Sequence, residues 1–109
     1  MKVLFLPEII DYFLDLADIL YGYGYFGFID TAIKYSDMLF DEIKDELPNK
    51  HKKEAPEYFD RYGKGMFYAI FKKNKNTSWY VFFNIYETKD DTIYFVRYIS
   101  NNHLVAQYL

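Results

Sequence analysis

Apolar and polar residues in the first half of the chain recur with the spacing of two amphipathic helices. A short apolar run at residues 1–6 is followed by Pro7, which cannot continue a strand ladder but fits the first turn of a helix. From Glu8 to about Tyr21, apolar residues return every three or four positions, and aspartates occupy the opposite face. The positions predicted to face the core in this helix are Ile10, Phe13, Leu14, Ala17 and Leu20.

A second, longer periodic segment begins near Ile29 and ends before Pro48, because helical backbone is disfavoured just before a proline. Two helices joined by a short turn form an αα-hairpin. We therefore predict that residues 1–48 form a strand followed by a helical hairpin. The apolar positions of the second helix are Ile29, Ala32, Ile33, Ser36, Leu39, Phe40, Ile43 and Leu47.

The turn between the two helices has the sequence pattern G-x-G-x-x-G at residues 22–27. This pattern indicates dinucleotide binding when a strand precedes it inside a βαβ unit. Here a predicted helix precedes it, so we interpret the glycines as a turn and predict no nucleotide cofactor.

The second half of the chain changes from helical to strand composition. Residues 49–64 form a polar segment without a sustained period, which predicts a loop. Three β-branched and aromatic runs within residues 65–100 predict an antiparallel meander, and residues 101–109 predict a tail with a short helical turn capped by an asparagine. In the middle strand, alternation puts Trp79 and Val81 on one face and Tyr80 and Phe82 on the other, so both faces are apolar or aromatic. The prediction is one α+β domain over residues 1–109.

Composition narrows the classes of function. A chain of 109 residues has room for one domain. The absence of cysteine excludes a disulfide scaffold, a thiolate metal site and a cysteine nucleophile. With two histidines and no histidine pair at a ligand spacing, neither a metal nor another cofactor is predicted. No secretory signal or membrane-spanning run is visible, so we expect a cytoplasmic protein without membrane association.

Charge is distributed unevenly along the chain. The net charge of −3 argues against bulk electrostatic coating of nucleic acid. Residues 1–48 carry three lysines against ten acidic residues, whereas residues 49–109 carry ten basic residues against six acidic ones. The second half could therefore contact a phosphate chain locally, although a solvated lysine-rich loop explains the same pattern. The candidate nucleic-acid-binding residues are Lys50, Lys52, Lys53, Lys72 and Lys73.

Arg97 is the only arginine in the predicted strands. Strict alternation places it on the face of Ile93, Phe95 and Ile99, which is an apolar neighbourhood for a permanent charge. Two interpretations stay open. The guanidinium binds a phosphate group, or it forms a structural salt bridge or stacks on a tyrosine.

The order of elements, and the segment from Ile93 to His103 in particular, resembles the RelE/ParE superfamily of toxin–antitoxin toxins. The resemblance implies an α+β RelE/ParE-like fold and the role of toxin in a type II toxin–antitoxin system, held by a cognate antitoxin protein. It also implies one of two activities, which are metal-independent cleavage of messenger RNA on the ribosome and inhibition of DNA gyrase. We expect the open aromatic face of the sheet, together with the hairpin, to provide the groove for the antitoxin.

Under the nuclease branch of this resemblance, a base removes the 2′-hydroxyl proton, cations stabilise the phosphate and an acid protonates the leaving oxygen. The resemblance implies His103 or Tyr108 for proton transfer. For charge stabilisation it implies Arg97, Lys72 and Lys73. The acidic net charge and the single strand arginine keep two alternatives open. These are a gyrase inhibitor, and a non-enzymatic protein–protein interaction module of the same fold that could form a homodimer.

Overall fold

The first and last strands of the chain lie side by side in a five-stranded sheet. In the computed structural model, which describes residues 1–109, the strands are β1 (Lys2–Phe5), β2 (Lys53–Glu54), β3 (Phe67–Asn74), β4 (Thr77–Glu87) and β5 (Thr92–Asn101). The strand order across the sheet is β1-β5-β4-β3-β2. β1 pairs with β5 in parallel, and every other pair is antiparallel.

Three α-helices complete the fold. They are α1 (Pro7–Gly22), α2 (Ile29–Glu46) and α3 (Asn102–Val105), and short 3₁₀ turns occur at Leu47–Asn49, Glu57–Arg61 and Ala106–Tyr108. Pro7 opens α1, and the Asn101 side chain accepts a hydrogen bond from the His103 backbone N–H at 2.9 Å, which caps α3. The α+β class, the helical hairpin, the meander and the capped helical turn predicted from the sequence are confirmed. No helix combines the length and apolar character needed to span a membrane.

The helical hairpin packs on one face of the sheet and encloses the larger of two buried clusters. Ser36 in α2 donates a hydrogen bond to the Phe13 carbonyl oxygen in α1 at 2.8 Å, so the one polar side chain between the helices is satisfied. Pattern alone predicted most of the buried face of α2 correctly. The cluster contains Ile9, Phe13, Leu16, Leu39, Ile43, Leu47, Ala69, Phe71, Trp79, Val81, Phe83, Val96 and Ile99.

The buried face of α1 is rotated relative to its prediction. Ile10 and Leu14 were predicted to face the core but are exposed, whereas Ile9 and Leu16 are buried. Helix α1 carries apolar residues at so many positions that periodicity does not define a unique stripe. Packing against α2 and the sheet determines which residues of α1 are buried, and it leaves the apolar side chains of Ile10 and Leu14 exposed to solvent.

The second face of the sheet carries a smaller core, covered by the chain itself. The segment 49–64, predicted as a loop, contains β2 and the 3₁₀ turn Glu57–Arg61, whose Phe59 side chain is 0% exposed. Val105 of α3 covers the same face from the end of the sheet. The aromatic face that was expected to be open is therefore partly closed by these two elements. The second cluster comprises Phe59, Met66, Tyr68, Phe82 and Val105.

Candidate functional site

A β-bulge in β5 determines the direction of Arg97. Phe83 pairs with Val96 and Phe82 pairs with Tyr98, so Arg97 is an extra residue in the register of the two strands. A bulge of this kind interrupts the alternation of side chains. Ile99 consequently turns into the core beneath the helices, and the prediction that it shares a face with Arg97 is wrong.

Arg97 is held on the face opposite the hairpin by neutral groups. Its Nε donates to Asn84 Oδ1 at 2.6 Å, its Nη2 donates to the Tyr86 hydroxyl at 3.0 Å, and its guanidinium carbon lies 4.8 Å from the centroid of the Phe95 ring. Asn84 in turn donates to the Lys64 carbonyl oxygen at 2.9 Å, which fixes its orientation. The salt bridge considered for Arg97 does not form, since the two ion pairs of the structure involve other residues. The remaining guanidinium N–H groups can bind an anion.

The backbone at Gly63 lies against the Arg97 side chain. A Cβ atom at this position would lie 2.6 Å from Arg97 Cδ and 3.2 Å from Met66 Sδ. Gly63 therefore permits the chain after the 3₁₀ turn to pass close to the arginine stem. Any larger residue there would displace the guanidinium from its partners.

Two parallel tyrosine stacks occupy the same side of the molecule. The Tyr62 and Tyr98 rings lie 3.8 Å apart at 6°, and the Tyr58 and Tyr108 rings lie 3.7 Å apart at 5°. The Arg61 guanidinium carbon lies 3.8 Å from the Tyr58 centroid, so Arg61 and Tyr108 must cover opposite sides of that ring. We call this surface the tyrosine–arginine face, which comprises Tyr58, Arg61, Tyr62, Arg97, Tyr98 and Tyr108.

Two tyrosines of this face, Tyr62 and Tyr108, have raised pKa values and stay protonated at neutral pH. Burial raises the pKa of Tyr62, with a smaller contribution from the Tyr98 hydroxyl, and the adjacent Tyr58 hydroxyl raises the pKa of Tyr108. A phenol with a raised pKa donates hydrogen bonds but is a weaker source of phenolate base. Tyr108 therefore carries its proton at neutral pH and is unsuited to act as a base.

The raised tyrosine pKa values lead us to expect an alkaline loss of stability. Burial also raises the pKa of Tyr12 in α1, with a smaller contribution from the neighbouring Tyr35. The stabilisation is fully present below the unfolded tyrosine pKa of about 10 and is lost as pH rises through the higher folded values. Urea unfolding between pH 8 and 11 should show falling stability above about pH 10. Tyr62→Phe should flatten that fall, and an unchanged slope in this variant would contradict the assignment.

His103 lies away from Arg97 and Tyr108. It borders two adjoining lobes of a groove, of about 270 and 380 Å³, between the end of the sheet and the hairpin. Neither Arg97 nor Tyr108 lines these lobes. We call this cavity the His103 groove, and the residues that line both of its lobes are Leu20, Tyr25, Trp79, Asn101 and His103. His103 therefore lines a cavity that neither of the residues with which it was grouped borders.

The five candidate lysines are also dispersed. Lys73 forms an ion pair with Glu42 of α2, so the acidic hairpin neutralises it. Lys50 and Lys52 place their amines 4.7 and 5.3 Å from the ring centroids of Phe71 and Phe67. These three lysines cover the core or pair with an acid.

The other two lysines lie along β2 and β3. Lys53 pairs in register with Tyr68 and borders a shallow pocket of about 220 Å³, which Lys50 and His51 also line. Lys72 is exposed at its pairing position opposite Ser78. Lys53 and Lys72 are therefore the two candidate lysines that form neither an ion pair nor a cation–π contact.

Sequence reasoning missed the residues that surround Arg97. Asn84 and Tyr86 lie in β4, the strand that pairs with the bulged strand β5. Tyr58, Arg61 and Tyr62 lie in the segment predicted as a loop. Arg61 and Tyr62 follow Tyr58 by three and four positions, which is the spacing of residues on one side of a helical turn. This spacing is the sequence feature from which their shared location could have been predicted.

Comparisons with known proteins identify no family for this chain. No protein-family model, curated protein or solved structure matches it. The structure also places no group of three or more histidine, aspartate or glutamate side chains where they could hold a metal ion.

Proposed function

We propose that this protein is a toxin of the RelE/ParE type that binds single-stranded RNA on the tyrosine–arginine face and cleaves it without a metal. The observation that carries the proposal is the environment of Arg97, which has neutral hydrogen-bond partners and no acidic one. A half-buried guanidinium in that state retains affinity for an anion. Messenger RNA on the ribosome supplies the anion, which places the activity in the cytoplasm.

The surroundings of Arg97 suit a nucleic acid strand better than an isolated anion. Phosphates bind to guanidinium groups by paired hydrogen bonds, and unstacked bases bind to tyrosine rings by stacking. Arg61 adds a second positive charge beside the Tyr58 ring. Alternating cationic and aromatic groups is the combination that binds a single strand without sequence preference.

Cleavage on this face would use the 2′-hydroxyl of the RNA as nucleophile. Its oxygen attacks phosphorus as its proton passes to a water molecule, the bond from phosphorus to the 5′-oxygen breaks, and that oxygen takes up the proton of the Tyr108 hydroxyl, which solvent then replaces. The products are a 2′,3′-cyclic phosphate and a free 5′-hydroxyl. Arg97 stabilises the negative charge on the crowded phosphate. Tyr108, whose phenol carries its proton at neutral pH, is the proton donor of this scheme.

Tightly controlled expression of the chain tests the proposal. We expect growth arrest, loss of translation, and binding of single-stranded RNA whose affinity falls as salt concentration rises. Cleavage of ribosome-bound messenger RNA should require no metal beyond the Mg²⁺ that the ribosome itself needs. Arrest with intact translation and inhibited DNA supercoiling would instead indicate the gyrase branch. Harmless expression without RNA binding would contradict both.

The exposed apolar surface of the hairpin favours a second candidate, a non-enzymatic interaction module. Leu14, Tyr23 and Phe28 are 73%, 79% and 76% exposed, and the hairpin around them is strongly acidic. This combination suits a basic amphipathic segment of a partner protein, such as an antitoxin. A homodimer through the same residues would appear as a concentration-dependent mass in light scattering. Harmless expression in the experiment above would favour this candidate.

A further inference from the structure

We propose that the His103 groove binds a purine base, which stacks on aromatic walls and accepts hydrogen bonds from side-chain amides. The groove lies on the hairpin side of the sheet, and neither Arg97 nor Tyr108 lines it. The inference therefore does not depend on RNA cleavage at the tyrosine–arginine face.

The inner wall of the groove is aromatic and fixed. Trp79 is almost fully buried, and its indole Nε1 donates to the Tyr35 hydroxyl at 2.8 Å. The Phe26 ring lies 5.3 Å from the Tyr35 ring at 51°. Because the indole and the Tyr35 ring hold each other in place, the wall is ordered before any ligand arrives, which lowers the entropic cost of binding.

The outer wall is aromatic and exposed. Tyr25 borders both lobes and is 68% exposed, so a large apolar ring faces solvent at the mouth of a cavity. It lies in the connection between α1 and α2, where Gly24 has a φ of +79°. A planar ligand between Tyr25 and the inner wall would bury apolar surface on both of its sides.

Two side-chain amides of the groove present free hydrogen-bond donors. The Oδ1 atoms of Asn74 and Asn101 already accept from the backbone N–H groups of Asn76 and His103, at 2.8 and 2.9 Å. The Nδ2 groups of both asparagines make no hydrogen bond within the chain, and both residues line the smaller lobe. They would pair with a ligand that presents neighbouring acceptors.

Guanine fits this donor set better than adenine does. Guanine presents two acceptors, N7 and O6, on one edge, whereas adenine presents an acceptor beside an amino donor. The lobes are also at the lower end of ligand-site volumes, which run from about 300 to 1,000 Å³, so a single ring system is the appropriate size. The base could belong to a free nucleotide or to an RNA strand.

The protein contains its own probe for this test. Trp79 is the only tryptophan in the chain, and it lines both lobes. Its fluorescence, excited at the red edge of the band to limit nucleotide absorption, can be titrated with guanosine monophosphate, adenosine monophosphate and a short single-stranded guanine oligonucleotide. We expect a saturable change with guanosine monophosphate and a weaker affinity for adenosine monophosphate.

Two exposed aromatic residues of the same connection supply the variants. Tyr25→Ala should weaken binding about tenfold, as expected for loss of one stacking ring. Phe28→Ala is the matched control, because Phe28 is equally exposed but lines neither lobe, and its affinity should stay unchanged. Circular dichroism of both variants checks that the fold is retained.

These titrations distinguish a free nucleotide from a base within RNA, and they include results that would overturn the proposal. Saturation by the mononucleotide supports a free nucleotide, and saturation by the oligonucleotide alone supports a base within RNA. No saturable change with any of the three, or equal losses in Tyr25→Ala and Phe28→Ala, would overturn the proposal. Loss of mononucleotide affinity in Arg97→Ala would also overturn it, because the base would then bind on the opposite face.

Discussion

Arg97→Ala is expected to relieve growth arrest and to weaken binding of single-stranded RNA by about tenfold to a hundredfold. The guanidinium is the one cation of β5, it has no acidic partner, and a charge-assisted hydrogen bond contributes about 1.5–3 kcal/mol. Fluorescence anisotropy with a labelled RNA measures the affinity, and colony counts after induction measure the arrest. Arg97→Lys should recover only part of the affinity, because an ammonium keeps the charge but loses the planar pair of donors.

The matched control for this variant is Lys89→Ala. It removes the same unit of charge from the exposed turn between β4 and β5, and it should lower RNA affinity only slightly. Equal losses of RNA affinity in both variants would show that the affinity depends only on the total charge of the protein, and they would contradict a binding site at Arg97. Relief of arrest by His103→Ala but not by Arg97→Ala would move the activity to the His103 groove.

Phe59→Ala is expected to lower the free energy of unfolding by about 3–5 kcal/mol. The Phe59 ring is fully buried, stacks on Phe82 with centroids 4.3 Å apart, and lies between the 3₁₀ turn and the sheet. Since a small domain has a total stability of about 5–15 kcal/mol, this loss would leave the variant marginally folded. Urea unfolding followed by circular dichroism measures the change.

Phe28→Ala again supplies the comparison, because it removes the same side chain from a solvent-exposed position. It should change the stability by no more than about 0.5 kcal/mol. Similar values for the two variants would mean that the second face of the sheet unfolds independently of the rest. In that case the tyrosine–arginine face could not hold Arg97 rigidly.

Sequence pattern predicted the elements whose periodicity is unambiguous. In β4, the buried Trp79, Val81 and Phe83 alternate with Tyr80 and Phe82, and both sets lie on the faces that alternation predicts. Because successive side chains of a strand point to opposite faces, neighbouring residues of β4 separate onto two faces whatever the rest of the fold is. The element order followed from these strong signals and from the prolines that begin and end the helices.

The site depends on features that have no periodic signal. The bulge at Arg97 adds one residue to β5, and nothing in the local composition distinguishes it from regular strand. Phe59 is one apolar residue within a polar segment, yet its burial brings Arg61 and Tyr62 to the face of the sheet. Both features result from contacts between segments that are distant in sequence. The local pattern of residues therefore does not predict them.

The pairing of β1 with β5 also has a consequence for how the chain acquires its structure. The edge strand β1 has one neighbour, and that neighbour is formed by residues close to the other end of the chain, as Lys2 pairs with Ile93. During synthesis, β1 has no pairing partner and the apolar faces of the hairpin have no complete sheet to pack against until β5 has left the ribosome. Pairings this distant in sequence slow folding and prolong exposure of apolar surface. A binding partner that reaches the hairpin in this interval would encounter the chain before its sheet is complete.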